Sequence, residues 1–147
     1  MVKIRGYLLV LLFICLKGEN MGLLQKLAMN AQQVDVSTVQ QEIQPLLVEN
    51  EQVEIAFKII RDQIIFTNLR LITIDKQGLT ARKVDFRSIP YDKIVQFSKE
   101  SAGVMDLDAE LKIWVASMSE PLKFEFSKDA PINDVYQLLS EKILKSN

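Results

Sequence analysis

Residues 66–114 read FTNLRLITIDKQGLTARKVDFRSIPYDKIVQFSKESAGVMDLDAELKIW. Short runs in this stretch alternate apolar and polar residues. Turn formers separate the runs, and no helical period intervenes. Successive side chains of a strand point to opposite faces, so the pattern predicts consecutive antiparallel strands. The stretch is rich in fold information and poor in chemistry: no residue set in it, or elsewhere in the chain, identifies a reaction or a ligand.

Working outward, Val53, Ile55, Phe57 and Ile59 alternate with Glu54, Ala56, Lys58 and Ile60. This predicts a half-buried first strand with Ala56 and Ile60 as apolar exceptions on its outer face. Arg61-Asp62 is expected to turn into a second strand over residues 63–67, and Asn68-Leu69 into a third over 70–75. Lys76-Gln77-Gly78 then supplies a hairpin turn in which Gly78 is free to take positive φ. The fourth strand is expected from about Thr80 to Ile89, with Val84 and Phe86 inward, and Pro90 breaks the ladder or marks an edge. Residues 93–98 make the fifth strand, and Gly103 sits in a turn region. Leu107, Ala109, Leu111, Ile113 and Val115 make the sixth and clearest strand, and Leu122, Phe124 and Phe126 the seventh, after Pro121. Seven strands, each apolar on one face, must close on themselves or stack to hide that face.

Helices flank the strands. Asp35 or Ser37 can cap a helix, and Ser37 with Gln40 fits a capping box. Val36, Val39, Ile43 and Leu47 share one helical face, predicted to pack on the sheet, and Pro45 ends the regular helix. After the strands, Asp129 and Pro131 announce a helix with Ile132, Val135, Leu138, Leu139 and Ile143 on its apolar face. Lys142 and Lys145 suit its C-terminal end. Such a helix plugs an open barrel end.

The first twenty residues have three competing readings. Lys3 and Arg5 precede an apolar run from Tyr7 to Leu16, shorter than the roughly 20 residues that span a bilayer. A signal or anchor fits this start, although no small-x-small pair follows the run closely and bulky Phe13 and Ile14 precede Cys15. A packed structural helix is the second reading. The third, which we favour, makes Met21 the true start. The chain would then be cytoplasmic; a real signal or anchor would make it membrane-associated or exported. A myristoylation motif at Met21-Gly22 fails because Lys26 stands where Ser or Thr is needed. Leu23, Leu24 and Leu27 give a short stripe, read as a loosely docked helix rather than a membrane-surface one.

Composition excludes more than it assigns. The 147 residues carry 18 basic and 19 acidic side chains, a net charge of −1. That balance gives no electrostatic case for nucleic acid, and the aromatics are not interleaved with basic residues. There is no histidine, which removes the commonest general base and metal ligand. The single cysteine, Cys15, allows neither an internal disulfide nor a cysteine-rich zinc site. The five glycines are not clustered into a phosphate loop, and no nucleophile has a visible base. No cofactor is expected.

Seven strands followed by a capping helix is the pleckstrin-homology architecture, and the letters agree. FTNLRLI, IDKQGLT, RSIPYDKI and DLDAELKIW, in this order and spacing, resemble the bacterial pleckstrin-homology (PH) domain family, once filed as a domain of unknown function. The resemblance runs from about Met21 to Leu144. It implies a mainly β, PH-like barrel or pair of orthogonal sheets, non-enzymatic and assembled as a symmetric homo-oligomer, including rings. Residues 1–20 would then lie outside the domain, residues 21–50 would form an N-terminal helical segment, and residues 51–147 the PH-like unit. Phosphoinositide binding does not carry over. The first hairpin loop is only Arg61-Asp62, and beside Lys58 and Arg61, Gln63 stands where the lipid motif places another basic residue.

Three constellations of charged and aromatic residues stand out along the strands. Asp106, Asp108 and Glu110 alternate along one strand; carboxylates two residues apart are about 6.6 Å apart, too far to hold calcium alone, so a polar face is preferred. Trp114 shares that outward face with Lys112, Glu110 and Asp108, and tryptophan is enriched at interface hot spots, so these four form a candidate oligomer interface. Arg82, Lys83, Arg87 and Lys93 concentrate positive charge around the fourth strand, a candidate face for an anionic ligand, with pairing to Asp85 and Asp92 the preferred alternative. The function expected is a non-catalytic PH-like scaffold that self-associates and presents a surface to an unknown protein partner. The alternative is a peripheral membrane domain using the basic face, and it is less favoured.

Overall fold

The computed structural model describes residues 31–60, 62–77, 82–100, 109–127 and 129–145. The readings attached to residues 1–30, Arg61, Gly78, Gly103, Asp106, Leu107 and Asp108 fall outside them. The described chain runs β1 (Gln32–Gln33), α1 (Val36–Ile43), a 3-10 turn (Gln44–Leu46), β2 (Val53–Ile59), β3 (Asp62–Thr67), β4 (Arg70–Gln77) and β5 (Lys83–Pro90). A second 3-10 turn (Tyr91–Lys93), β6 (Ile94–Glu100), β7 (Ala109–Val115), β8 (Leu122–Phe126) and α2 (Ile132–Leu144) complete it.

Two antiparallel sheets result, ordered β1-β2-β3-β4-β5 and β6-β7-β8. Between them lies the main core, which joins Phe57, Phe66 and Leu71 of the first sheet to Leu111, Leu122 and Phe126 of the second. Phe57 and Phe126 meet edge to face, centroids 4.8 Å apart. The helix α2 adds Val135 and Leu139, with Ile132, Leu138 and Ile143 partly buried, as its expected apolar face requires. A parallel bridge from Ala31 to Phe126 ties the start of the described chain to β8. Among the described residues no helix is long and apolar enough to cross a membrane.

A second core lies on the other side of the first sheet. There Val39 and Ile43 of α1 cover Val53, Ala56, Ile65, Ile72 and Ile74. The predicted packing of this helix on the sheet is what forms, and it changes the reading of β2. Ala56 is fully buried under α1 rather than an exception on a wet face. Val53 joins Ala56 in the second core, whereas Ile55 and Phe57 enter the main one. A register shift between Val53 and Ile55 is the cause, because one extra residue rotates the strand and flips its face. Ile60 is not a strand residue: it takes φ 55° in the turn before β3, a costly conformation for a β-branched side chain. Asp62, expected in that turn, begins β3.

The cap of α1 is Asp35, which accepts a hydrogen bond from the Thr38 amide at 2.8 Å. Hydrogen bonds from the Ser37 hydroxyl, then from Thr38, hold its carboxyl below the ordinary range. The expected box of Ser37 with Gln40 does not form. Gln40 reaches across instead, its Oε1 accepting from the Val53 amide at 2.7 Å.

The fourth expected strand, β5, differs most from expectation. Val84 and Phe86 are 37% and 50% exposed, not inward. Strand alternation explains this: Ile89 enters the main core, so Lys83, Asp85 and Arg87 share its face while Val84 and Phe86 take the opposite one. The core ends at Ile89, and the three charged residues carry the same face into solvent. β4 continues through Gln77, two residues past its expected end at 75, and β6 runs from Ile94 rather than 93 to Glu100.

Candidate functional site

The outward face of the β6-β7-β8 sheet is banded. Its inward face takes Leu111, Ile113 and Val115 of β7 into the core, so Glu110, Lys112 and Trp114 point out. Register places Glu110 between Glu100 of β6 and Glu125 of β8, a row of three carboxylates. Lys112 lies between Ser98 and Lys123 in the next row. Trp114 follows, opposite Gln96. A register shift between Ile94 and Gln96 leaves Val95 as an extra residue beside Trp114, 66% exposed. Acidic, basic and apolar rows thus succeed one another along the strands, about 6.8 Å apart.

Lys112 joins the first two rows. Its ammonium lies 3.1 Å from Glu100 and 3.3 Å from Glu110, and hydrogen bonds to these two carboxylates push its pKa up. The row of glutamates therefore surrounds a cation that is already shared. Glu110, Lys112 and Trp114 do stand together, as the alternation of β7 predicts. Val95 was not legible as a neighbour, because nothing in IVQFSKE marks the bulge. Among the described residues no three potential metal ligands cluster.

The basic residues around β5 do not converge. Lys83 and Arg87 share a face with Asp85 between them, and Arg87 lies 3.7 Å from Asp85. Asp75 of β4 sits directly opposite Asp85. Arg82 is exposed just before the strand. Lys93 lies in the turn beyond the other end of β5, a strand that itself spans about 23 Å, and pairs with Asp92 at 3.4 Å. Lys83-Asp85-Arg87 is therefore a second banded surface, basic, acidic, basic.

A buried charge pair holds the region where β2, β3 and β4 meet. The Glu51 side chain is fully buried and takes two hydrogen bonds from Arg70, Nε to Oε1 at 2.8 Å and Nη2 to Oε2 at 2.9 Å. It also accepts from the Thr67 hydroxyl and the Val48 amide. Burial pushes its pKa up, but the hydrogen bonds and the Arg70 charge outweigh that and hold the carboxyl below the ordinary value. Tyr91, buried beside it, donates its hydroxyl to the Thr67 carbonyl at 2.6 Å, and burial raises its pKa. All polar partners are internal, which marks a structural network rather than a binding site.

Two layered sheets and the closing helix α2 invite comparison with known proteins. The sequence model of the bacterial PH domain matches residues 22–143. The chain belongs to the bacterial PH domain family. It is similar to the uncharacterised protein YjqA of Bacillus subtilis (strain 168), 46% identical over 121 residues, covering 82% of this chain and 97% of that protein. A second B. subtilis protein, the uncharacterised YozO, is 34% identical over 110 residues, covering 75% and 94%. The fold is similar to the crystal structure of a PH-containing DUF1696 family protein from Shewanella loihica PV-4. That match has a TM-score of 0.72 and 40% identity, covering 78% of this chain and 97% of that one. A PH domain from Shewanella amazonensis SB2B matches with TM-score 0.64 and 41% identity, covering 75% and 99%. The PH reading of the strand pattern and C-terminal helix is therefore right.

Proposed function

We propose that this PH domain is a non-catalytic module that self-associates and displays a protein-binding surface. The observation that carries the reading is Trp114 on the outward face of β7 with Val95, 66% exposed, beside it. An aromatic anchor with an apolar neighbour, rimmed by charged residues, is the composition of an interface centre. Repetition of one weak site around a homo-oligomer converts low affinity into avidity. The basic residues near β5 favour no lipid reading, since Asp75, Asp85 and Asp92 stand among them.

The test is the solution mass of the full chain by light scattering across a dilution series. A discrete multiple of the monomer mass is expected, and Trp114→Ala should lower it. A wild-type monomer at every concentration would remove the self-association reading. An unchanged mass in the variant would remove Trp114 as the anchor.

A further inference from the structure

Strand β5 forms one edge of its sheet, and among the described residues no strand pairs beyond it. The direction of its backbone groups follows from the strand on its other side. Lys76 and Arg70 of β4 lie opposite Val84 and Pro90. Both turn their amides away from β5, Lys76 donating to Asp62 Oδ1 at 3.0 Å and Arg70 to Thr67 Oγ1 at 2.9 Å. Hydrogen-bonded and non-hydrogen-bonded pairs alternate along an antiparallel ladder, so Val84, Phe86, Ser88 and Pro90 all form non-hydrogen-bonded pairs with β4. Their carbonyls, and the amides of Val84, Phe86 and Ser88, therefore point to the open edge, residue to residue about 6.8 Å apart. Proline ends this row, where it has no amide to offer.

The side chains beside these groups decide what can lie there. Val84 and Phe86 are 37% and 50% exposed and belong to neither core, although Phe86 lies directly opposite buried Ile74. On the other face, the one that carries Ile89 into the core, Lys83, Asp85 and Arg87 alternate in charge and are exposed. Proteins normally cover or blunt a long edge of this kind. A second copy fits it badly. Laid antiparallel about Asp85, it sets like charges opposite each other. About Phe86 it sets Lys83 against buried Ile89, and about Val84 it overlaps only residues 83–85 of the strand.

We infer that β5 is a strand-addition site for an extended segment of another protein that reads acidic, apolar, basic, apolar, acidic. The segment's backbone bonds to the edge groups of Val84, Phe86 and Ser88 as an added antiparallel strand. Its apolar residues pack on Val84 and Phe86 and continue the outer face of the sheet beyond Ile74. Its charges fall opposite Lys83, Asp85 and Arg87. Each such pair contributes modestly, and the three together fix the register, because a one-residue slip puts every side chain on the wrong face. The site lies on a different sheet from Trp114 and does not depend on self-association.

The experiment follows the fluorescence anisotropy of two labelled peptides titrated with the full chain. One carries Glu-Val-Lys-Val-Glu between serines, the other Lys-Val-Glu-Val-Lys. The first is expected to bind about tenfold more tightly. The variant with Lys83→Glu, Asp85→Lys and Arg87→Glu should reverse that order. Val84→Pro removes one edge-facing amide without touching the ladder to β4. It should weaken binding of the first peptide about tenfold while keeping the wild-type circular dichroism spectrum. If that variant does not fold, Phe86→Ser replaces it, and loss of the apolar contact should weaken binding by a similar factor, about tenfold. No binding of either peptide, equal binding of both, or an order that the charge variant leaves unchanged would overturn the site. Unchanged affinity in the edge variant would do the same. If neither peptide binds and Val84→Pro lowers the mass of the chain on light scattering, the edge belongs to a second copy and the inference fails.

Discussion

Glu51 shows how little a residue's identity says about its role. In the run VENEQVE it is one of three glutamates, and nothing there separates it from its solvated neighbours. Arg70 lies 19 positions away and becomes its partner only when the turn between β3 and β4 brings it over the start of β2. Removing one member of a buried ion pair strands the other, at a cost of about 3 kcal/mol. Glu51→Ala should lower the unfolding free energy in urea by about that amount. The pair also makes stability depend on acid. The unfolded carboxyl titrates near its ordinary value of 4.5, and the folded one titrates lower. Between the two values the unfolded chain binds more protons, so the contribution is complete above pH 4.5 and is lost as pH falls through the folded value. Urea midpoints measured from pH 7 down to 3 should therefore fall more steeply for the wild type than for Glu51→Gln. Parallel curves would assign the acid response to other carboxylates.

At the scale of elements, strands that alternate cleanly were readable, and departures from alternation were not. β7 and β8 fall where period-two patterning puts them. β2 reads as one continuous alternation, yet its bulge sends Val53 and Ile55 to different cores. On β5, Val84 and Phe86 are the apolar pair that suggests an inward face, yet Ile89 alone meets the core. Register with β4 decides that, and register is a property of two strands. The start of α1 was legible as a choice between two caps, and the Asp35 carboxylate takes the role by accepting from Thr38. Asp35→Ala should destabilise the protein by about 1 kcal/mol. Amide exchange within α1 should quicken more than in β7. Equal quickening in both would show that α1 opens only with the whole domain.

For the molecule as a whole, the first sheet is covered on both sides. Its inner face meets the second sheet and α2, and its outer face meets α1. The helical period of Val36, Val39 and Ile43 announced an apolar face that needed a partner, and that partner is the outward row of Ala56, Ile65 and Ile72. A second sealed core should be nearly as sensitive to truncation as the first. Ile65→Ala, which empties space under α1, should cost about 3 kcal/mol, comparable with Leu111→Ala between the sheets. Thermal melts of the two variants measure this; a negligible shift for Ile65→Ala would mean that α1 settles into the gap.

The strand pattern and the final amphipathic helix, read with the motifs that resemble a bacterial PH domain, determined the class of fold from sequence alone. Hydrophobic periodicity is local, and each segment's choice of strand or helix is made within a few residues. The tertiary structure decided which face of each strand is buried, that Glu51 meets Arg70, that Val95 stands beside Trp114, and that charges on β6, β7 and β8 line up as rows. These depend on register, bulges and the approach of distant segments, where a one-residue slip reverses every side chain. A chain's pattern specifies its pieces, and only their packing against one another selects the surface left for a partner.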